Sequence, residues 1–288
     1  MPELPEVETL RRQLAPLAEG KRLERLEVID SRWSDPAPPE EVDAAARGRR
    51  VERLSRRGKY LIWTLEGDAH LVMHLRMTGN LLVADAGEGD RPRPHLRVRL
   101  VLGRDLRVLF VDPRRFGTGH VLLGSEALDA YFATRLGVEP LDPDFTADAL
   151  RALARGRRAP VKAFLLSQER IAGVGNIYAD EALFRAGIHP LRPVGTLTRA
   201  QFALLRDTVV ASLEAGIDAR GASIDDFRHT DGARGSFQNR FLVHRREGEP
   251  CPTCERPIKK IRAAGRGTYV CERCQPRPRA ARRPRKVD

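Results

Sequence analysis

The chain has 288 residues and 41% apolar content, enough for two domains with a sizeable core and outside the range of intrinsically disordered proteins. Its 51 Lys and Arg against 39 Asp and Glu leave a formal charge of +12, which points to a polyanionic partner, nucleic acid or an anionic membrane surface, unless the whole proteome is arginine-rich. No apolar run approaches transmembrane length, and Glu3, Glu6 and Glu8 stand where a signal peptide would be basic, so the expected location is the cytosol.

The opening Met1-Pro2-Glu3-Leu4-Pro5-Glu6 has two readings. If Met1 is removed, Pro2 presents a secondary amine with an unperturbed pKa of about 8, a nucleophile beside the Glu3 carboxyl. Alternatively, Pro5 begins a helix whose dipole Glu6 and Glu8 oppose, the reading preferred for those two acids. Val7–Glu19 has the spacing of an amphipathic helix. Eight short Val- and Leu-rich segments follow, Arg22–Ile29, Arg49–Leu54, Tyr60–Leu65, Ala69–Leu75, Asn80–Val83, Leu96–Leu102, Arg107–Val111 and Gly119–Leu123. Gly, Pro and Asp separate them, as in a β-sandwich or barrel. The stretch Gly137–Asp144 reads as a linker, after which Thr146–Ala154, Val161–Gln168, Ile177–Ala186 and Thr198–Ala215 carry helical spacing.

All four cysteines lie in Cys251-Pro252-Thr253-Cys254 and Cys271-Glu272-Arg273-Cys274. Two such knuckles place four thiolates around one ion, a closed structural zinc site; a redox dithiol needs only one pair. Lys259, Lys260, Arg262 and Arg266 between the knuckles form a basic hairpin that either lies on phosphates or is solvated. Residues 276–288 are an Arg- and Pro-rich tail, expected to be disordered and to strengthen salt-sensitive association with a polyanionic partner.

The N-terminal Pro-Glu and the tetracysteine hairpin occur with five internal segments: Arg57-Gly58-Lys59-Tyr60, His74-Leu75-Arg76-Met77-Thr78-Gly79, Asp112-Pro113-Arg114-Arg115-Phe116-Gly117, Gly173-Val174-Gly175-Asn176-Ile177 and Gly187-Ile188-His189-Pro190. In this order they resemble the bacterial formamidopyrimidine-DNA glycosylases over nearly the whole chain. The resemblance implies an α+β multidomain protein, with a catalytic β-sandwich flanked by helices at 1–135 and a helix-two-turn-helix DNA-binding domain with a lesion-recognition loop at 136–236. A zinc-finger β-hairpin at 237–275 and the tail complete it. It further implies a monomer that binds duplex DNA containing oxidised bases or abasic sites, flips out the lesion and needs one structural Zn²⁺ and no organic cofactor. Pro2, Glu3 and Lys59 are then the catalytic candidates. Met77 and Phe116 become wedges in the opened stack, where in isolation both read as core residues, and Arg114 the fork that pairs with the orphaned cytosine. Arg115 is either a further contact or an ion-pair partner. Asn176, Lys59, His74 and Arg266 clamp the phosphates flanking the lesion, although His74 alone reads as a buried, satisfied histidine. Lys162 matches a lysine near the active cleft, or else is a helix-surface charge. The loop Ala219–Phe237, with Ser223, Asp231, Gly232 and Gly235, is expected to be a mobile lid over the flipped base or merely a linker.

Two segments depart from the pattern. Arg76 stands where glycine is expected, and Phe241-Leu242-Val243-His244-Arg245-Arg246 replaces the usual Val-Tyr-Gly-Arg text. Two other functions compete. An endonuclease VIII-like glycosylase for oxidised pyrimidines typically begins Pro-Glu-Gly-Pro, unlike Pro2-Glu3-Leu4-Pro5. A non-catalytic zinc-finger protein that binds damaged DNA would tolerate a retained Met1.

Overall fold

The computed structural model describes residues 1–224 and 227–278, so most of the basic tail, from 279, lies outside the described residues. They form two compact units. The first comprises Met1–Pro140, Gln168–Val174 and Leu213–Arg240, and the second Leu141–Ser167, Gly175–Ser212 and the chain from Phe241 onward.

In the first unit α1 (Leu4–Ala18) precedes β1 (Leu23–Val28), α2 (Pro39–Ala46), β2 (Val51–Arg57), β3 (Tyr60–Leu65), β4 (Ala69–His74) and β5 (Asn80–Asp85). Then come α3 (Ala86–Gly89), β6 (Leu96–Leu102), β7 (Leu106–Val111), β8 (Thr118–Leu123) and α4 (Ser125–Ala133). The strands make two antiparallel four-stranded sheets, ordered β1-β6-β7-β5 and β2-β3-β4-β8. Both give inward residues to one core. Leu26, Leu100 and Phe110 come from one sheet, Leu54, Trp63, Leu71 and Met73 from the other, and Leu10 and Leu14 from α1. This is the expected sandwich. Side chains alternate across a strand, so β3 also has an outer set, Tyr60 and Ile62, which with Val72 packs against Phe132 of α4 and Leu136. With both faces covered, all of β4 is buried, which explains its central apolar run Leu71-Val72-Met73.

The second unit is helical. It holds α5 (Ala147–Ala154), α6 (Val161–Leu166), α7 (Asn176–Arg185) and the start of α8 (Arg199–Asp218). Thr146 caps α5 by accepting the Ala149 N–H, and Pro160 and Gly175 stand ahead of α6 and α7. The unit ends in a two-stranded hairpin, β9 (Lys259–Ala263) paired with β10 (Arg266–Val270). Among the described residues, no helix is long and apolar enough to cross a membrane.

Candidate active site and metal centre

Pro2, Glu3 and Leu4 are buried in the first unit. Glu3 is the extended residue ahead of α1, and Pro5 lies in the first turn, where its missing N–H leaves nothing unsatisfied. The Glu6 carboxylate bridges two segments. One oxygen accepts the Glu3 N–H at 2.8 Å, the other the Ala222 N–H at 2.8 Å. Compensating a helix dipole is therefore too small a role for Glu6: it ties the N-terminus to the 219–237 segment. The Leu4 N–H donates to Gly173 O at 3.2 Å. Gly173 has φ +81, and a Cβ there would lie 2.5 Å from Leu4 Cδ1. Close approach of Leu4 is thus one reason for that glycine.

Lys59, in the turn between β2 and β3, is 5% exposed. Its turn is fixed by Glu139, which accepts the Gly58 N–H and pairs with Arg56 at 3.0 Å. Arg56 also donates to Gly58 O at 2.9 Å and lies 3.6 Å from Glu8 of α1. Gly58 packs against Ala172, the neighbour of Gly173, so the N-terminal segment and the Lys59 turn converge on Ala172-Gly173. Glu139 was not a candidate from sequence, because it sits in linker text whose Pro and Asp signal only turns.

His74 closes β4, buried, with its ring edge-on to Tyr60 at 4.5 Å. Its Nδ1 accepts the Arg76 N–H at 2.9 Å, which leaves the ring proton on Nε2. Burial, followed by the nearby Arg76 and Lys59 cations, pushes the His74 pKa down to about 3. A neutral imidazole with an Nε2–H is a donor and not a cation. Met77 and Phe116 are exposed large apolar residues, 38% and 50% accessible. The Arg114 guanidinium stacks on Phe116 at 4.8 Å. Arg115 makes a bidentate ion pair with Asp30 at 2.5 and 2.8 Å. Arg76 adopts φ +54, the left-handed region that glycine enters without strain, which accounts for the glycine expected there.

Segment 227–237 is pinned within the first unit. Phe227 belongs to the sandwich core, the Arg228 N–H donates to Asn80 Oδ1 at 2.8 Å, and the Val83 N–H donates to Thr230 O at 2.8 Å. Ser223 accepts the Gly235 N–H at 2.9 Å, drawing the two ends of the loop together.

In the second unit Asn176 opens α7, and its Nδ2 donates to Gly267 O at 3.1 Å. Arg266, one residue earlier on the hairpin, is exposed. The surface-charge reading of Lys162 is corrected. Its ammonium is fully enclosed, 2.6 Å from Asp180 Oδ1 and 2.7 Å from Thr268 Oγ1. The other Asp180 oxygen faces His244 Nδ1 at 2.9 Å. Beside it Glu181 accepts the N–H groups of Leu242, Val243 and His244 at 3.0 to 3.1 Å, so the departing text before the finger is anchored by backbone. The sequence pattern does not mark either acid, since both lie on a helix whose polarity reads as solvent-facing.

The Sγ atoms of Cys251, Cys254, Cys271 and Cys274 lie within 4.8 Å of one another. The Cys251–Cys274 and Cys254–Cys271 pairs are 3.8 and 3.4 Å apart. A tetrahedron with Zn–S bonds of about 2.3 Å has S–S edges of about 3.8 Å, so the four fit one zinc ion. Burial and the neighbouring sulfurs raise the Cys274 thiol well above its ordinary pKa, the crowding that a dication relieves.

Three family descriptions match in chain order: the formamidopyrimidine-DNA glycosylase N-terminal domain over residues 1–119, its H2TH domain over 136–228, and the zinc finger found in FPG and IleRS over 248–277. The chain belongs to the formamidopyrimidine-DNA glycosylase family. It is 45% identical to the formamidopyrimidine-DNA glycosylase of Chloroflexus aggregans, across 96% of this chain and 98% of the relative. That of Gluconobacter oxydans is 43% identical over 96% and 100%. The crystal structure of MutM (Fpg) from Thermus thermophilus superposes with a TM-score of 0.84 at 41% identity, covering 95% and 98% of the two chains. A Lactococcus lactis Fpg mutant in complex with Fapy-dG-containing DNA gives 0.89 at 34% identity, covering 96% and 100%. The zinc-finger match and the four-cysteine cluster together fit one structural Zn²⁺.

Proposed function

We propose that this glycosylase excises oxidised purines, 8-oxoguanine and formamidopyrimidines, from duplex DNA during base-excision repair and then nicks the strand. The supporting observation is the buried Pro2-Glu3 pair ahead of α1, with the Glu3 N–H held by Glu6 and the N–H of the next residue, Leu4, held by Gly173. The same Ala172-Gly173 segment receives the Lys59 turn.

Removal of Met1 frees the Pro2 amine. Its lone pair bonds to C1′ of the flipped nucleotide as the glycosidic bond breaks; the bonding pair leaves with the base, which takes up the proton that the Pro2 nitrogen sheds. Glu3 supplies a proton to the sugar ring oxygen as the ring opens, and a C1′ iminium joined to Pro2 results. The iminium withdraws electrons. Loss of a C2′ proton expels the 3′ phosphate, and loss of a C4′ proton expels the 5′ phosphate, which are the β and δ eliminations. Zinc, held by the four cysteines, supplies structure to the hairpin.

Met77 and Phe116 fill the vacated stack and Arg114 faces the orphaned base. Asn176, Arg266, Lys59 and the neutral His74 bind the flanking phosphates. Lys162 acts from inside, through Thr268 and Gly267, on the hairpin that carries Arg266. The boundaries 1–135, 136–236 and 237–275 serve as the working domain limits, and the protein works on DNA in the bacterial cytosol.

The test is Glu3→Gln on a duplex carrying 8-oxoguanine opposite cytosine. Iminium formation, read by borohydride trapping, should fall by on the order of 10²–10⁴, the usual range for a lost general acid, while duplex affinity stays close to wild type. Unchanged trapping would remove Glu3 from the chemistry.

A further inference from the structure

Asp112 is completely buried, yet it lies in neither the sandwich core nor the catalytic pair. It heads the loop that presents Arg114 and Phe116, and its carboxylate is saturated by donors from two loops. Oδ1 accepts the Thr78 hydroxyl and the Arg114 N–H at 3.2 Å. Oδ2 accepts the Phe116 and Gly117 N–H groups, each at 2.8 Å. Thr78 is the residue after Met77, and its Oγ1 also lies 3.3 Å from the Arg114 N–H. One carboxylate thereby joins the loop of Met77 to the loop of Phe116.

The floor is shared too. A Cβ on Gly79 would come within 2.9 Å of Phe110 Cζ, and one on Gly117 within 2.3 Å of the same atom. Both loops therefore rest directly on the Phe110 ring, which belongs to the sandwich core. Arg115, in the left-handed region at φ +60, is held by its bidentate pair with Asp30 and fixes the far side of the Phe116 loop. Two exposed apolar side chains on separate loops are thus tied to a single buried anchor.

We infer that Asp112 and Thr78 are positioning residues that lock Met77 and Phe116 into one rigid wedge before DNA arrives. Holding a base stack open needs both side chains at a fixed separation. An isolated loop would lose rotational and backbone freedom on insertion, and the Asp112 hub has already removed it. This rests on the wedge reading of Met77 and Phe116. The lock matters only where a stack must be held open, so it acts on lesions in duplex DNA and not on the same lesion in an unpaired bubble.

Single-turnover excision is measured on a paired duplex and on a bubble carrying the same 8-oxoguanine, for wild type, Thr78→Val, Thr78→Ser, Asp112→Asn and Phe116→Ala. Thr78→Val keeps the shape and removes the hydroxyl. It should lose about tenfold on the duplex and stay within about twofold on the bubble, while Thr78→Ser, which restores the donor, keeps wild-type rates on both. Asp112→Asn, if folded, should show a larger difference in the same direction. Equal losses on both substrates, or no loss on the duplex, for Thr78→Val would overturn the inference. Phe116→Ala separates the two ideas. If it shows no duplex-against-bubble difference, the wedge reading falls and this inference with it; if it shows one and Thr78→Val does not, the inference alone falls.

Discussion

At His74 the protein keeps an imidazole neutral through a pH range where a free histidine would be charged. The unfolded chain protonates near its ordinary 6.5 and the folded chain only near 3, so between those values the unfolded state binds more protons. The stability that His74 contributes is fully present above about pH 6.5 and is lost as pH falls towards 3. His74→Gln should flatten the decline of unfolding free energy across that window, measured by urea denaturation at stepped pH. His120 and His189, also lowered chiefly by burial, leave a residual slope. A decline identical to wild type would show that His74 titrates normally in the fold. Because the neutral ring is a hydrogen-bond donor above pH 5 as well as at pH 8, its proposed share of phosphate binding should not vary over that interval.

Lys162, Asp180, Thr268 and His244 make α6, α7, β10 and the segment before the finger one buried polar assembly. Removing one member leaves an uncompensated buried charge, a loss of about 3–5 kcal/mol, whereas replacing both charges with apolar groups of similar volume is far milder. Lys162→Met should therefore lower the thermal midpoint markedly and weaken duplex binding, and Lys162→Met with Asp180→Leu should recover most of the stability, which calorimetry would read in both variants. Additive losses in the double variant would contradict the pairing. None of this assembly is visible in sequence, since it joins residues 18 to 106 positions apart and depends on which helix face turns inward. The eight strands were legible because alternation and punctuating Gly, Pro and Asp are local signals, and β3 and β6 have the expected limits. Helix α2 was missed because Pro38 and Pro39 read as loop, and α4 because its short apolar text follows a strand without a strong cap. The tetracysteine site was legible in full because its ligands come in two local pairs. Asp112 and Glu139 were not, because each works through long-range backbone donors.

Charge acts on the molecule as a whole. A chain with formal charge +12 that binds DNA through its phosphates should lose affinity linearly in log–log plots against salt, with a slope of about −0.9 per phosphate neutralised. Five of the basic residues, Arg279, Arg282, Arg283, Arg285 and Lys286, lie in the terminal segment. Ending the chain at Pro278 should make that slope shallower by about 1 or more while leaving excision at low salt intact, and an unchanged slope would remove the segment from DNA binding. The proposed chemistry rests on the Pro2 nitrogen. Borohydride reduction during reaction with an oxidised duplex should convert the iminium to a stable protein–DNA adduct, and peptide mapping by mass spectrometry should place the attached sugar on Pro2 of a chain lacking Met1. An adduct mapped to an interior lysine such as Lys59, with strand cleavage persisting when the N-terminus is blocked, would contradict the account.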